Sequence, residues 1–233
     1  MDLPGSIGNL KHLRYLDMSE SLVKMLPNKI CSLPNLQILL LSSCRNLTQL
    51  PNNIRSLIRL QHLDLRETPL KDMPQDLCNL KNLEILSDFI LGEYSAPHIN
   101  QLKGLRNLRG GLCISGLQNI VNAGDISENI LIELEHISEL SLRWDCDMTN
   151  NSEIQSVLLD KLQPGTDLKK IFIYRYGGTR FPNRLGNTSF SDITTMFLQD
   201  CKRCRTLPPL GQLPSLKEFL ISGFDESVSI DRR

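Results

Sequence analysis

An internal repeat constrains this chain more than any other feature. The segments LPGSIGNLKHLRYLDM, LPNKICSLPNLQILLL, LPNNIRSLIRLQHLDL and MPQDLCNLKNLEIL begin at Leu3, Leu26, Leu50 and Met73, in steps of 23, 24 and 23 residues. Recurrence at such a period means one supersecondary unit stacked on itself. Leu13, Leu16 and Met18 recur as Leu36, Leu39 and Leu41, then as Leu60, Leu63 and Leu65, with Leu83 and Leu86 following. The LxL pair has a period of two, that of a strand with one buried face. A strand this short cannot bury its leucines alone. Successive units must therefore stack, with parallel strands on one side and the LPxxIxxLxx segments returning along the other.

The predicted fold is an α/β repeat: a leucine-rich-repeat solenoid (horseshoe) with a parallel β-sheet on the concave face and irregular loops and short helices on the convex side. It forms a single domain over residues 1–233, with regular repeats over 1–91, longer irregular ones over 92–165 and C-terminal repeats over 166–233. Pro4, Pro27, Pro51 and Pro74 fix φ and remove a donor where the chain is expected to leave the strand ladder, which predicts that they mark the turn toward the convex side. Cys44 follows its strand where Ser21 and Thr68 follow theirs, and these small polar groups are expected to cap backbone amides between turns. SENILIELEHISELSLRW reads as a helix followed by a strand. In SEIQSVLLDKLQP, Ile154, Val157, Leu158 and Leu162 share a helical face, Asn151 or Ser152 caps it, and Pro164 with Gly165 ends it. Regular spacing returns where Ile193, Met196 and Leu198 recur as Leu216, Phe219 and Ile221, which makes nine expected strands in one stack.

Charge excludes several functions. The chain has 26 basic and 26 acidic residues, with no long block of either sign. It lacks the broad positive field that drives binding to nucleic acid or anionic membranes. No apolar run reaches the length of a membrane span, and MDLPGSIGNL has no signal-peptide pattern. The seven cysteines, Cys31, Cys44, Cys78, Cys113, Cys146, Cys201 and Cys204, are odd in number and scattered, as free thiols in a reducing compartment are. A cytoplasmic location is expected.

Catalytic and cofactor signals are weak. Cys201 and Cys204 have metal-ligand spacing, yet no second ligand pair lies nearby, and Cys201 occupies the post-strand place of Cys44. His12, His62, His98 and His136 sit in different units without a nucleophile motif. Gly177 and Gly178 precede Thr179-Arg180-Phe181-Pro182, where Pro182 argues for a turn rather than a phosphate cradle. No metal, cofactor, nucleotide or enzymatic activity is expected.

In a solenoid the strand residues between the inward leucines project from the concave face. The expected partner-binding residues are Tyr15, Asp17, Ile38, Leu40, His62, Asp64, Arg66, Arg143, Lys170, Phe172, Tyr174, Phe197, Glu218 and Leu220, with Ser141 and Thr195 beside them.

The LxxLPxxIxxLxxLxxLxL units, FILG, LRGGLCISGLQNI, ELSLRW, LQPGTDLKKIFIYRYGGTRFPNRLGN and CKRCRTLPPLGQLPSLKEFLISG, taken in order, resemble the leucine-rich-repeat region of plant disease-resistance proteins of the coiled-coil nucleotide-binding type (NLR). YGGTRFP and LPPLGQLPSLK are the most specific of these strings. The resemblance implies protein recognition in plant innate immunity: sensing a pathogen effector or a guarded host protein, or restraining the nucleotide-binding switch of a parent receptor. A generic intracellular scaffold or ubiquitin-ligase adaptor is the alternative. The phosphate loop GxxxxGK[ST] is absent, so the switch itself is not here. A start at LP, part-way into a repeat, is expected of a fragment of a longer receptor or a truncated gene product.

Overall fold

The computed structural model describes residues 3–93, 96–144, 151–186, 188, 190–224 and 229–230; Cys146 lies outside them. The strands are β1 (Tyr15–Asp17), β2 (Ile38–Leu40), β3 (His62–Asp64), β4 (Ile85–Leu86), β5 (Asp88–Ile90), β6 (Arg109–Ser115), β7 (His136–Arg143), β8 (Lys170–Tyr174), β9 (Thr195–Gln199), β10 (Thr206–Leu207), β11 (Glu218–Ser222) and β12 (Ser229–Ile230). β1 to β4 form one parallel sheet in chain order; β5, β6, β7, β8, β9 and β11 form a second, and β10 pairs with β12. This is the leucine-rich-repeat solenoid, its leucines stacked in one continuous core.

The two main sheets meet at one segment. Leu86 pairs with Leu63, and Phe89 with Ile114; Ser87 and Asp88 lie between them. Leu86 and Phe89 are buried, so two consecutive residues separate two inward ones, the extra-residue geometry of a β-bulge. The Ser87 amide donates to Leu63 O (3.2 Å) and its carbonyl accepts from the Cys113 amide (2.9 Å). The stack therefore continues while its register shifts by one residue.

Pro4, Pro27 and Pro51 mark the turn toward the convex side as expected, although Pro27 and Pro51 lie well past the ends of β1 and β2. They stand ahead of the 3-10 helices Gly5–Asn9, Asn28–Ser32 and Asn52–Ser56 at φ of −66°, −65° and −60°. Their carbonyls accept from Ile7, Ile30 and Ile54, so proline opens the convex turn, where its missing N–H costs nothing. The small polar groups donate to carbonyls and cap no amides: Cys44 Sγ to Met18 O (3.0 Å) and Thr68 Oγ1 to Leu65 O (2.7 Å), while Ser21 Oγ meets Cys44 Sγ at 3.5 Å.

No helix forms over 128–134. Asn129 has φ +60°, which interrupts a right-handed helix, and the segment buries Ile130, Leu131 and Leu134 through turns. Helix α1 (Ser152–Lys161) does form, with the Asn151 side chain accepting from the Ile154 amide at its start. Its buried face is Gln155, Leu158 and Leu159, continued by Leu162, whereas Val157 is exposed. A polar residue lies on that face because Gln155 Oε1 accepts the indole N–H of the buried Trp144 at 2.5 Å.

Candidate functional site on the concave sheet

Parallel pairing sets the groove side chains in rows. One row runs Glu139, Lys170, Thr195 and Glu218; the next runs Asp88, Cys113, Ser141, Phe172, Phe197 and Leu220; the third includes Arg143, Tyr174 and Gln199. The inward partners Ile171, Ile173, Met196 and Leu198 are fully buried, while Phe172, Tyr174 and Phe197 are half-buried and Leu220 is 48% exposed. Strand alternation thus puts an apolar row along the open face of the second sheet.

The rings form a single cluster. Phe172 and Phe197 meet edge to face at 6.3 Å, Tyr174 and Phe197 at 5.6 Å. The Arg143 guanidinium lies over the Tyr174 ring, 4.6 Å from its centroid, a cation–π contact. On the other flank Lys170 Nζ is 2.7 Å from Glu139 Oε1, and Thr195 Oγ1 donates to Glu218 Oε2 at 3.0 Å. The carboxylate raises the Lys170 pKa, chiefly by hydrogen bonding. The apolar row therefore lies between two rows of polar and charged groups.

The first sheet presents Tyr15, Asp17, Ile38, Leu40, His62, Asp64 and the adjacent Arg66. Two groove positions are less open than strand alternation alone predicts. Asp64 is 3% exposed because Arg66 grips it, Nε to Oδ1 at 2.9 Å and an Nη to Oδ2 at 2.6 Å. Burial would raise that carboxyl, but bonds from the Arg66 side chain and amide, the arginine charge and the Ser87 hydroxyl hold it below its ordinary value. Thr195 is 7% exposed, covered through its bond to Glu218.

A depression of about 640 Å³ opens where the sheets meet, and most of its distinctive lining was not among the sequence candidates. Asp88, Cys113 and Glu139 line it with His62, Arg143 and Phe172. LSDFIL places Asp88 where the preceding repeat has the inward Leu65, and a polar residue at an inward position was the available signal of a register shift. Burial raises the Asp88 carboxyl and pushes the Cys113 thiol up to about 11, which keeps the thiol protonated and unreactive at neutral pH.

The remaining candidates for chemistry serve packing. Cys201 and Cys204 are buried, with sulfurs directed to the carbonyls of Gln199 (3.5 Å) and Gly178 (3.2 Å). Burial pushes the Cys201 thiol up to about 12, and no group of three metal-ligating side chains occurs among the described residues. In YGGTRFP, Tyr176 donates to Arg180 O (2.9 Å) and stacks on Phe181 at 5.3 Å. A Cβ at Gly178 would stand 2.2 Å from the Tyr176 hydroxyl, so the turn closes on a ring and leaves no phosphate cradle there. No helix among the described residues is long and apolar enough to cross a membrane.

Comparison with known proteins agrees with this geometry. The chain is 46% identical over 247 aligned residues to an Arabidopsis thaliana protein assigned to disease resistance, At3g14460, covering 99% of this chain and 17% of that protein. It is 44% identical to disease resistance RPP13-like protein 1 of the same plant, covering 99% of this chain and 23% of the relative. Disease resistance protein RGA2 of Solanum bulbocastanum is 33% identical over 58% of this chain and 14% of its own length. The chain thus spans less than a quarter of the length of each of these relatives. Among solved structures, the leucine-rich-repeat domain of the type III effector XopL superposes with a TM-score of 0.62 at 19% identity, covering 95% of this chain and 72% of that one. The ectodomain of the Arabidopsis receptor kinase GASSHO1/SCHENGEN3 gives 0.54 at 18%, covering 96% and 28%. Both share the fold. The family model described as R13L1/DRL21 LRRs matches residues 99–224, more than half of the chain. The chain belongs to this leucine-rich-repeat family and is a repeat region of the plant NLR disease-resistance type.

Proposed function

We propose that the concave sheet is a protein-recognition surface in plant immunity, which binds a pathogen effector, a guarded host protein or the nucleotide-binding domain of a parent receptor, in the cytoplasm. The observation that carries this is the row Phe172, Phe197 and Leu220, which lies on the open face between a row holding the Lys170–Glu139 ion pair and one in which Arg143 lies over the Tyr174 ring. Large aromatic side chains ringed by polar groups are typical anchors of protein interfaces. The fold and its relatives are protein-interaction modules, and the groove offers no activated nucleophile or complete metal-ligand set among the described residues.

The test is to prepare Phe172→Ala, Tyr174→Ala and Phe197→Ala beside Leu198→Ala and measure melting temperature and binding to the nucleotide-binding domain of the receptor most similar in sequence. The groove variants should melt near the parent and lose about 2 kcal/mol or more of affinity, the usual cost of truncating an interface anchor. The core variant should lose roughly 2–5 kcal/mol of stability. Groove variants that fold normally and bind unchanged would remove this surface from the interface.

A further inference from the structure

The bulge leaves one carboxylate in an unusual setting. Of the Asp88 carboxylate, Oδ2 is buried and has no hydrogen-bond partner, while Ser87 and Cys113 bond to the carboxyl group and the side chain lines the depression between the two sheets. The other acids there are engaged: Asp64 by Arg66, Glu139 by Lys170, and Glu67 by the Ser43 hydroxyl at 2.8 Å. Arg143 is committed to the Tyr174 ring and to Ser141 Oγ. Burial raises the Asp88 carboxyl, and the Ser87 and Cys113 hydrogen bonds and the Arg143 charge offset this only in part. Native proteins seldom leave a buried acceptor unmet, and each one that they do leave calls for an explanation.

The walls narrow the choice of ligand. Leu112, Leu140 and Phe172 supply apolar surface, and the lining holds four carboxylates against two guanidinium groups. A basic side chain combines an apolar stem with a cationic head, which fits both kinds of wall. A metal ion finds no third ligand among the described residues. We propose that this depression receives a lysine or arginine side chain from a bound polypeptide, its stem against Leu112, Leu140 and Phe172 and its head on Asp88. The proposal rests on the concave sheet being a recognition surface and specifies one anchor of the partner: a basic residue beside the apolar side chain that meets the Phe172–Phe197 row.

The experiment selects phage-displayed random peptides on the full 233-residue chain, keeps those whose affinity falls on Phe172→Ala, and measures them by calorimetry. The retained peptides should carry Lys or Arg. Changing that residue to Gln should weaken binding about tenfold or more on the parent chain and little on Asp88→Asn, as expected when one side of a buried charge pair is already absent. The Gln peptides need no protein variant, and Asp88→Asn should melt no lower than the parent, so loss of folding cannot imitate the result. Phe172-dependent peptides that tolerate Gln, or that show the same Gln penalty on Asp88→Asn, overturn the pocket assignment and leave the recognition surface standing. A selection with no Phe172-dependent binder counts against both.

Discussion

At the scale of single residues, the corners of the solenoid are set by backbone geometry that the leucine pattern does not announce. Glu20, Ser43, Glu67, Arg175 and Asp200 have φ between 55° and 61°, and each stands two places after an inward residue, as does Gly116 at 78°. A non-glycine residue in that region costs about 1–3 kcal/mol and persists where its surroundings hold it. Here the ladder holds it: the amides of Glu20, Ser43, Arg175 and Asp200 donate to Ser42 O, Arg66 O, Gln199 O and Ser222 O of the following repeat at 2.7–2.8 Å. At Gly116 an added Cβ would stand 2.1 Å from Leu91 O, so Gly116→Ala should cost more than about 2 kcal/mol in urea unfolding. Glu67→Gly, which relieves a strained corner, should change stability by less than about 1 kcal/mol. Equal effects would show that the corners carry no strain. Asp88 supplies a second test. Its carboxyl is raised in the folded chain, so ionisation opposes folding once pH climbs through the folded pKa. Asp88→Asn should therefore melt higher than the parent at pH 7, with the gain vanishing below the unfolded value of about 4. A constant difference across that range would remove Asp88 as its source.

At the scale of elements, the legible parts were those fixed by side-chain period alone. Leu16, Leu39 and Leu63 gave strands, inward faces and groove faces because a two-residue period admits one arrangement once stacking is required. Helix α1 was legible in extent, through Asn151 and Pro164, yet its face was read from apolar residues only. Gln155 is buried because Trp144, 11 residues earlier, brings an N–H that needs an acceptor there. No local pattern reports such a partner. Trp144 also meets Tyr176 edge to face at 5.2 Å, so the helix, the end of β7 and the YGGTRFP turn share one aromatic cluster. Gln155→Leu keeps the volume and strands the indole N–H, which should cost about 1–3 kcal/mol in chemical denaturation. Gln155→Glu, which retains an acceptor, should cost less. If Leu is the milder change, the bond contributes little and packing alone places the helix. The Asp88 depression was missed for a related reason: its residues converge only after the bulge turns Ser87 and Asp88 to the same face, whereas strict alternation sends one of them inward.

At the scale of the whole molecule, a solenoid's stability is a sum of repeat terms and nearest-neighbour interfaces, so its cooperativity is only as strong as its weakest joint. The joint between the two main sheets lies at Ser87. To one side β4 contributes two paired residues to the first sheet; to the other β5 opens the second. Across it run the Ser87 amide to Leu63 O, the Cys113 amide to Ser87 O, and the Arg109 amide to Glu84 O at 2.8 Å. A side-chain stitch reinforces these, since Ser87 Oγ accepts from the Leu65 amide at 2.7 Å. Ser87→Ala removes that acceptor, and an amide left without a partner costs about 1–3 kcal/mol. Because the loss falls on the interface and touches neither leucine stack, it should lower the coupling between the sheets more than the stability of either. In native-state hydrogen exchange, amide protection in β2 and β3 should then fall by about tenfold or more while that in β8 and β9 stays within a factor of about two, since sub-global units open independently once their coupling weakens. Equal loss of protection in both sheets would mean that the repeats unfold as one block, and that the register shift at Asp88 shapes the groove without dividing the stack.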